Sequence, residues 1–189
     1  MARLVVRGLT DGLGANPIEF ITLSTGTWTL IWLLATLAVS PLRALTGWNQ
    51  LARFRRLLGL FAFFYGVLHF TTYVWLDKFF DVGDMLQDVV KRRFITAGMF
   101  SFVLMIPLAA TSTAAAIRGL GGRNWQRLHR LVYLSAAAAV VHFWWKVKAD
   151  VREPAIYATV LAVLLLARAA RFRRRISLRE VQASREERR

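Results

Sequence analysis

Apolar residues in this chain fall into long runs, and charged residues fall between them. The first run spans about Ile18 to Val39 and stops at Pro41. A second, dense in Phe and Tyr, covers about Leu57 to Leu76. A third runs from about Phe94 to Ala110 with Pro107 as a kink site, a fourth from about Leu128 to Val147, and a fifth from Ala155 to about Ala170. Runs of this length predict membrane-spanning helices. Ser24, Thr25, Thr27 and Thr29 in the first span are tolerable if their hydroxyls bond back to helix carbonyls. Trp144, Trp145 and Lys146 mark a lipid–water boundary, Pro154 suits the first turn of the last helix, and Arg168 is placed to snorkel.

The expected architecture is therefore an all-α integral membrane helical bundle of about five spans. Residues 1–17 read as a glycine-containing N-terminal loop, 18–170 as the bundle, and 171–189 as a basic tail forming a surface helix or lacking order. The connection after the first span carries Arg43, Arg53, Arg55 and Arg56. The one after the third is also basic and ends in a Gly-Gly turn. The connections after spans two and four mix acid and base. The positive-inside rule then places the basic connections and the tail in the cytoplasm and the N-terminus outside.

Composition narrows the chemistry. The 189 residues are 56% hydrophobic and carry a formal charge of +15. In a soluble protein that charge would suggest nucleic acid. Here it sits between apolar runs, so membrane anchoring accounts for it and no nucleic-acid partner is expected. The absence of cysteine excludes disulfides, thiolate zinc sites, iron–sulfur clusters and c-type haem attachment. The N-terminal stretch has neither the continuous apolar core nor the cleavage site of a signal peptide.

Three histidines remain as candidate chemistry: His69, His129 and His142. His69 lies 13 residues past Arg56, about 20 Å into span two at 1.5 Å per residue. His142 lies 14 residues past Leu128, about 21 Å into span four. Two neutral imidazoles at matching depth on two membrane helices can clamp a haem iron. The bland alternative is a pair of interhelical hydrogen bonds. His129 sits at the cytoplasmic edge, where it would either ligate metal or bond a headgroup or a haem propionate. On an ideal helix it lies about 140° from His142, whereas Arg55 nearly shares a face with His69. Arg55 and Arg56 read first as topology anchors and second as propionate partners.

Five short pieces carry a family resemblance: GLGANP at Gly12 to Pro17, RRLLGL at Arg55 to Leu60, LHFTTY at Leu68 to Tyr73, TST at Thr111 to Thr113, and NWQRLHRLVY at Asn124 to Tyr133, with His142 following. In this order and spacing the chain resembles the MsrQ (YedZ) family. These are haem-binding membrane subunits of the bacterial periplasmic methionine sulfoxide reductase system, within the ferric-reductase-like transmembrane superfamily. The resemblance implies b-type haem, one or two per chain, held by His69 and His142 with His129 and Arg55 as further cofactor-binding candidates. It implies an electron-transfer subunit, not the catalytic one, in the bacterial inner membrane. Electrons would come from membrane quinones or a cytoplasmic flavin reductase and pass to a periplasmic molybdopterin subunit that reduces methionine sulfoxide. FMN is implied by the family alone, since no flavin motif is present. Family members usually have one more helix before the GLGA-type loop. This chain begins close to that loop, as expected of a shortened form or of a start assigned downstream. The rival readings are a stand-alone ferric reductase-like oxidoreductase and a non-redox membrane scaffold.

Overall fold

The computed structural model describes residues 16–186, with side chains to Arg173. Most of the expected N-terminal loop and the last three residues of the tail lie outside that range. Asn16 opens the described chain as the cap of α1, Pro17–Thr46. Its side chain accepts from the Glu19 N–H at 3.2 Å, serving one orphan donor of the helix, and its amide donates to the Glu19 carboxylate at 3.2 Å. α1 then runs for 30 residues and ends at Gly47, whose φ of 70° closes the last turn.

Pro41 was expected to end this helix, but it lies inside it. The Arg171 guanidinium donates to the Ser40 carbonyl at 2.6 Å and to the Pro41 carbonyl at 2.8 Å. Arg171 thus ties the last helix to the α1 backbone beside the proline.

α2, Leu51–Thr71, continues without a break into a π-helical turn, Thr72–Asp77. The mixed segment that follows is not merely a loop. It contains α3, Val82–Lys91, capped by the Asp81 side chain on the Asp84 N–H. α4 is Arg93–Ala110 with Pro107 inside it. The next basic connection also folds, as α5, Ala114–Leu128, broken at Gly121, whose φ of 72° and ψ of 146° are not helical. α6 is Leu131–Lys146, 16 residues and therefore shorter than the expected fourth span. α7 runs from Arg152 to Glu186 as one helix, so the fifth span and the tail are continuous. Four helices have the length and apolarity to cross a membrane, and α6 is a shorter apolar helix beside them. Among the described residues there is no strand.

The main packed pairs are α1 with α2 and α4 with α6, while α7 lies against α1 and α6. Leu30, Leu33, Leu34 and Leu37 of α1 meet Ala62 of α2, Met105 and Leu108 of α4, Val132, Ala136 and Val140 of α6, and Leu161 of α7. Lipid tails are as apolar as leucine, so shape and polar bonds must hold such helices together. Ser101 and Ser135 do so between α4 and α6. The Ser101 hydroxyl donates to the Ser135 carbonyl at 2.9 Å, and the Ser135 hydroxyl donates to the Ser101 carbonyl at 3.0 Å. Both are buried, Ser135 completely. Along α1, Thr25, Thr29 and Thr36 bond back to carbonyls of their own helix, those of Ile21, Thr25 and Trp32, at 2.8–2.9 Å.

At the far end from the arginines, an ion cluster fixes the segment after α2. Lys78 pairs with Asp84 at 2.5 Å and with Asp88 at 2.6 Å, and Arg92 pairs with Asp88 at 3.0 Å. The Tyr73 hydroxyl also donates to Asp88, at 3.3 Å. Next to Lys78, Phe79 and Phe80 have left-handed backbone, φ 47° and 63°, a strained region for bulky residues.

Burial alone would raise the Asp88 pKa. The Lys78 hydrogen bond and the Arg92 and Lys78 charges outweigh it and hold the carboxyl below its ordinary value. A carboxylate with a depressed folded pKa stabilises the fold at pH above its unfolded value, about 3.9, and that contribution is lost as pH falls through the folded pKa. Asp88→Asn should therefore lower thermal stability at neutral pH and flatten the acid limb of a stability–pH profile in detergent. Ser135→Ala should cost about 0.6 kcal/mol, the average for one interhelical hydrogen bond in a membrane. Ser135→Leu has no space at a fully buried helix contact and should abolish cooperative melting followed by circular dichroism.

Candidate functional site

His69 and His142 face each other in the bundle. Their ring centroids are 6.0 Å apart and their planes stand at 75°. His69 comes from the last turn of α2 and His142 from α6, so the matching depth reckoned along two separate spans corresponds to adjacent rings.

Each ring is held in the same way. His69 Nδ1 lies 2.9 Å from the Thr22 carbonyl of α1, and His142 Nδ1 lies 2.6 Å from the Phe94 carbonyl of α4. A carbonyl only accepts, so Nδ1 carries the proton in both rings and Nε2 keeps its lone pair. No hydrogen bond engages either Nε2 among the described residues. This is the tautomer a metal-binding imidazole needs, with the outer nitrogen anchored and the inner one free.

A glycine makes each approach possible. A Cβ on Gly26 would stand 2.9 Å from His69 Cε1, and a Cβ on Gly98 would stand 2.6 Å from His142 Nδ1. Gly26 lies four residues after Thr22, and Gly98 four residues after Phe94. The same cradle thus occurs twice, one helical turn of carbonyl and glycine receiving a histidine from the helix packed against it. Sequence reasoning singled out the histidines but not Gly26 or Gly98. Their only signal was a glycine in mid-span, where it costs helix propensity unless something packs against it.

Further hydroxyls brace the His69 side. Thr72 donates to the His69 carbonyl at 2.8 Å, and the Thr22 and Thr72 hydroxyls are 3.3 Å apart. Thr72 begins the π-helical turn, a feature that often marks functional positions.

His129 is elsewhere. It caps the C-terminal end of α5, while α6 starts at Leu131, so it does not share a helix with His142. The ideal-helix angle between the two therefore has no bearing on where they point. Its ring stacks on Trp125 with centroids 4.0 Å apart, and Nε2 lies 3.1 Å from the Thr111 hydroxyl. That hydroxyl gives its proton to the Pro107 carbonyl at 2.6 Å, so His129 Nε2 is the donor. The protonated nitrogen is therefore the opposite one from that in His69 and His142. Burial, and then the charge of Arg55, lower the His129 pKa from its ordinary value. Arg55 itself lines a cavity at the arginine-rich end of the bundle with Arg43, Arg168 and Arg171. Arg168 sits 4.7 Å above the Tyr133 ring. No group of three or more His, Asp or Glu side chains gathers among the described residues, so an ion at the histidine pair would need ligands beyond the protein.

The chain matches the family model described as ferric reductase like transmembrane component over residues 22–140. It is 60% identical over 168 residues to the protein-methionine-sulfoxide reductase heme-binding subunit MsrQ of Herminiimonas arsenicoxydans, covering 88% of this chain and 77% of that one. The Ralstonia nicotianae protein of the same name is 59% identical, over 86% of this chain and 76% of its own. That of Rhodospirillum rubrum is 53% identical, over 82% and 75%. No solved structure matches the chain. With relatives this similar over most of both lengths, and the membrane helices and paired histidines already described, the chain belongs to the MsrQ family of ferric-reductase-like transmembrane proteins.

Proposed function

We propose that the protein is the haem b-binding membrane subunit of a methionine sulfoxide reductase system, with one haem held between His69 and His142. One observation carries this reading: two imidazoles with their Nδ1 protons tied to backbone carbonyls and their centroids 6.0 Å apart. Two imidazoles that share one metal through bonds of about 2 Å would have centroids roughly 6 Å apart, which supports His69 and His142 as the residues that would hold the haem iron. The curated relatives carry heme-binding in their names, which supports the same reading.

Haem b, when bound, supplies one-electron chemistry. The protein's residues set the conditions for it. The Thr22 and Phe94 carbonyls fix the imidazole tautomer and raise its basicity as a ligand. Gly26 and Gly98 let the helix backbones close on the rings. The apolar bundle lowers the local dielectric, and such a shell governs potential as much as the ligands do.

The finer reading is a conduit in the bacterial inner membrane. Electrons enter from the quinone pool or a cytoplasmic flavin reductase and leave to a periplasmic molybdopterin subunit, where protein methionine sulfoxide is reduced. FMN enters this reading only through the family. On the outer side, the histidine pair lies near the start of α4 and the π-helical end of α2, next to the ion-paired segment around Lys78. That position supports an exit toward the partner on this side. His129, with Nε2 committed to Thr111, is read as braced in the connection before α6.

In a pyridine haemochrome assay on detergent-purified protein, about one haem per chain is expected. His69→Ala and His142→Ala should each abolish it while the helical circular dichroism persists, and full haem content in both variants would overturn the assignment. His129→Ala should keep its haem. Gly98→Ala drives a methyl into the His142 ring and should cut haem content or broaden the reduced α-band. Gly26→Ala should act in the same direction but more mildly, since its closest approach is longer.

A further inference from the structure

At the arginine-rich end of the bundle, α1, α2, α5, α6 and α7 line a cavity of about 410 Å³. This is within the size range of small-molecule sites, roughly 300–1,000 Å³. Four guanidinium-bearing residues line it: Arg43, Arg55, Arg168 and Arg171. Its remaining wall is largely apolar, with Leu37, Leu164, Leu165 and Phe172.

Among the described side chains, no acid neutralises these charges. Ion pairs among the described side chains involve Lys78, Arg92 and Arg152, none of which borders this cavity. Two of the four arginines are held in position. Arg171 is forked onto the Ser40 and Pro41 carbonyls, and Arg168 rests on Tyr133. Fixed like charges around one space repel each other unless an anion sits among them.

The histidine pair does not account for this cavity. Arg55 is 14 residues from His69, about 21 Å along the helix. None of the three histidines lines the cavity, so it offers no axial ligand to a second haem. An uncharged quinone would leave the four positive charges unbalanced. A ligand with an anionic head and an apolar body matches both parts of the wall, and basic pockets between membrane helices take such headgroups.

We propose that this cavity binds the anionic phosphate headgroup of a membrane phospholipid, with the acyl chains lying along Leu164, Leu165 and Phe172. The phosphate falls among Arg43, Arg55, Arg168 and Arg171. A bound lipid there ties α7 to α1 and α2 at the basic end. The inference does not depend on the haem assignment.

The test uses the full-length protein in a neutral detergent. Phosphatidylglycerol, phosphatidylcholine, FMN and inorganic phosphate are added separately. Retained ligand is counted by native mass spectrometry, and the melting temperature is followed by circular dichroism. Phosphatidylglycerol is expected to be retained and to raise the melting temperature, while phosphatidylcholine does neither. The double variant Arg43→Gln/Arg55→Gln should weaken phosphatidylglycerol binding by about five-fold per charge removed. Arg43→Lys/Arg55→Lys, which keeps the charge, should retain most of it. Equal effects of the two lipids would overturn the proposal. So would saturation by inorganic phosphate or FMN with no response to phosphatidylglycerol, or unchanged lipid retention in the Gln variant.

Discussion

A histidine inside a membrane bundle must have its polar atoms served by the protein, because lipid serves none. Here one hydrogen bond per ring serves the N–H, from His69 Nδ1 to the Thr22 carbonyl and from His142 Nδ1 to the Phe94 carbonyl. Much of the bundle's geometry follows from it. The accepting helix must come close enough for its backbone to touch an imidazole, and only a residue without a side chain permits that. Gly26 and Gly98 are therefore as much a part of the site as the histidines. Their positions make α1 with α2, and α4 with α6, the tightly packed pairs.

The rest of the bundle supports those two approaches. Ser101 and Ser135 lock α4 to α6 about two turns from the histidine level. The α1 leucines fill the space toward the other end. Beyond the pair, the π-helical turn and the Lys78–Asp88 cluster hold the chain as it leaves the apolar region. At the opposite end, Arg171 serves carbonyls around Pro41. Polar contacts are few, and each sits where a backbone or side-chain group would otherwise be left without a partner.

Much of this was legible in the pattern of apolar runs. The membrane helices, and the nearness of His69 to His142, could be reckoned from residue counting because rise per residue is a rigid property of the helix. What could not be read depended on contacts between distant residues. Pro41 looked like a terminus, but α1 runs through it to Thr46, and Arg171, 130 residues away, donates to its carbonyl. The charged connections looked like loops, yet α3 and α5 fold there on local caps, Asp81 and Thr113. His129 was expected on the same helix as His142, but the helix breaks between Leu128 and Leu131. The glycine cradles were invisible for the same reason: a glycine's purpose lies in what approaches it.

The continuity of α7 has a mechanical consequence. At 1.5 Å per residue its 35 residues extend for about 52 Å, against a hydrocarbon thickness of about 30 Å. The helix is therefore a rod with one end seated against α1 and α6 and the other projecting past the membrane. A rod of this kind works as a lever arm. The fork of Arg171 on Ser40 and Pro41 couples this rod to the helix that presents Thr22 and Gly26 to His69.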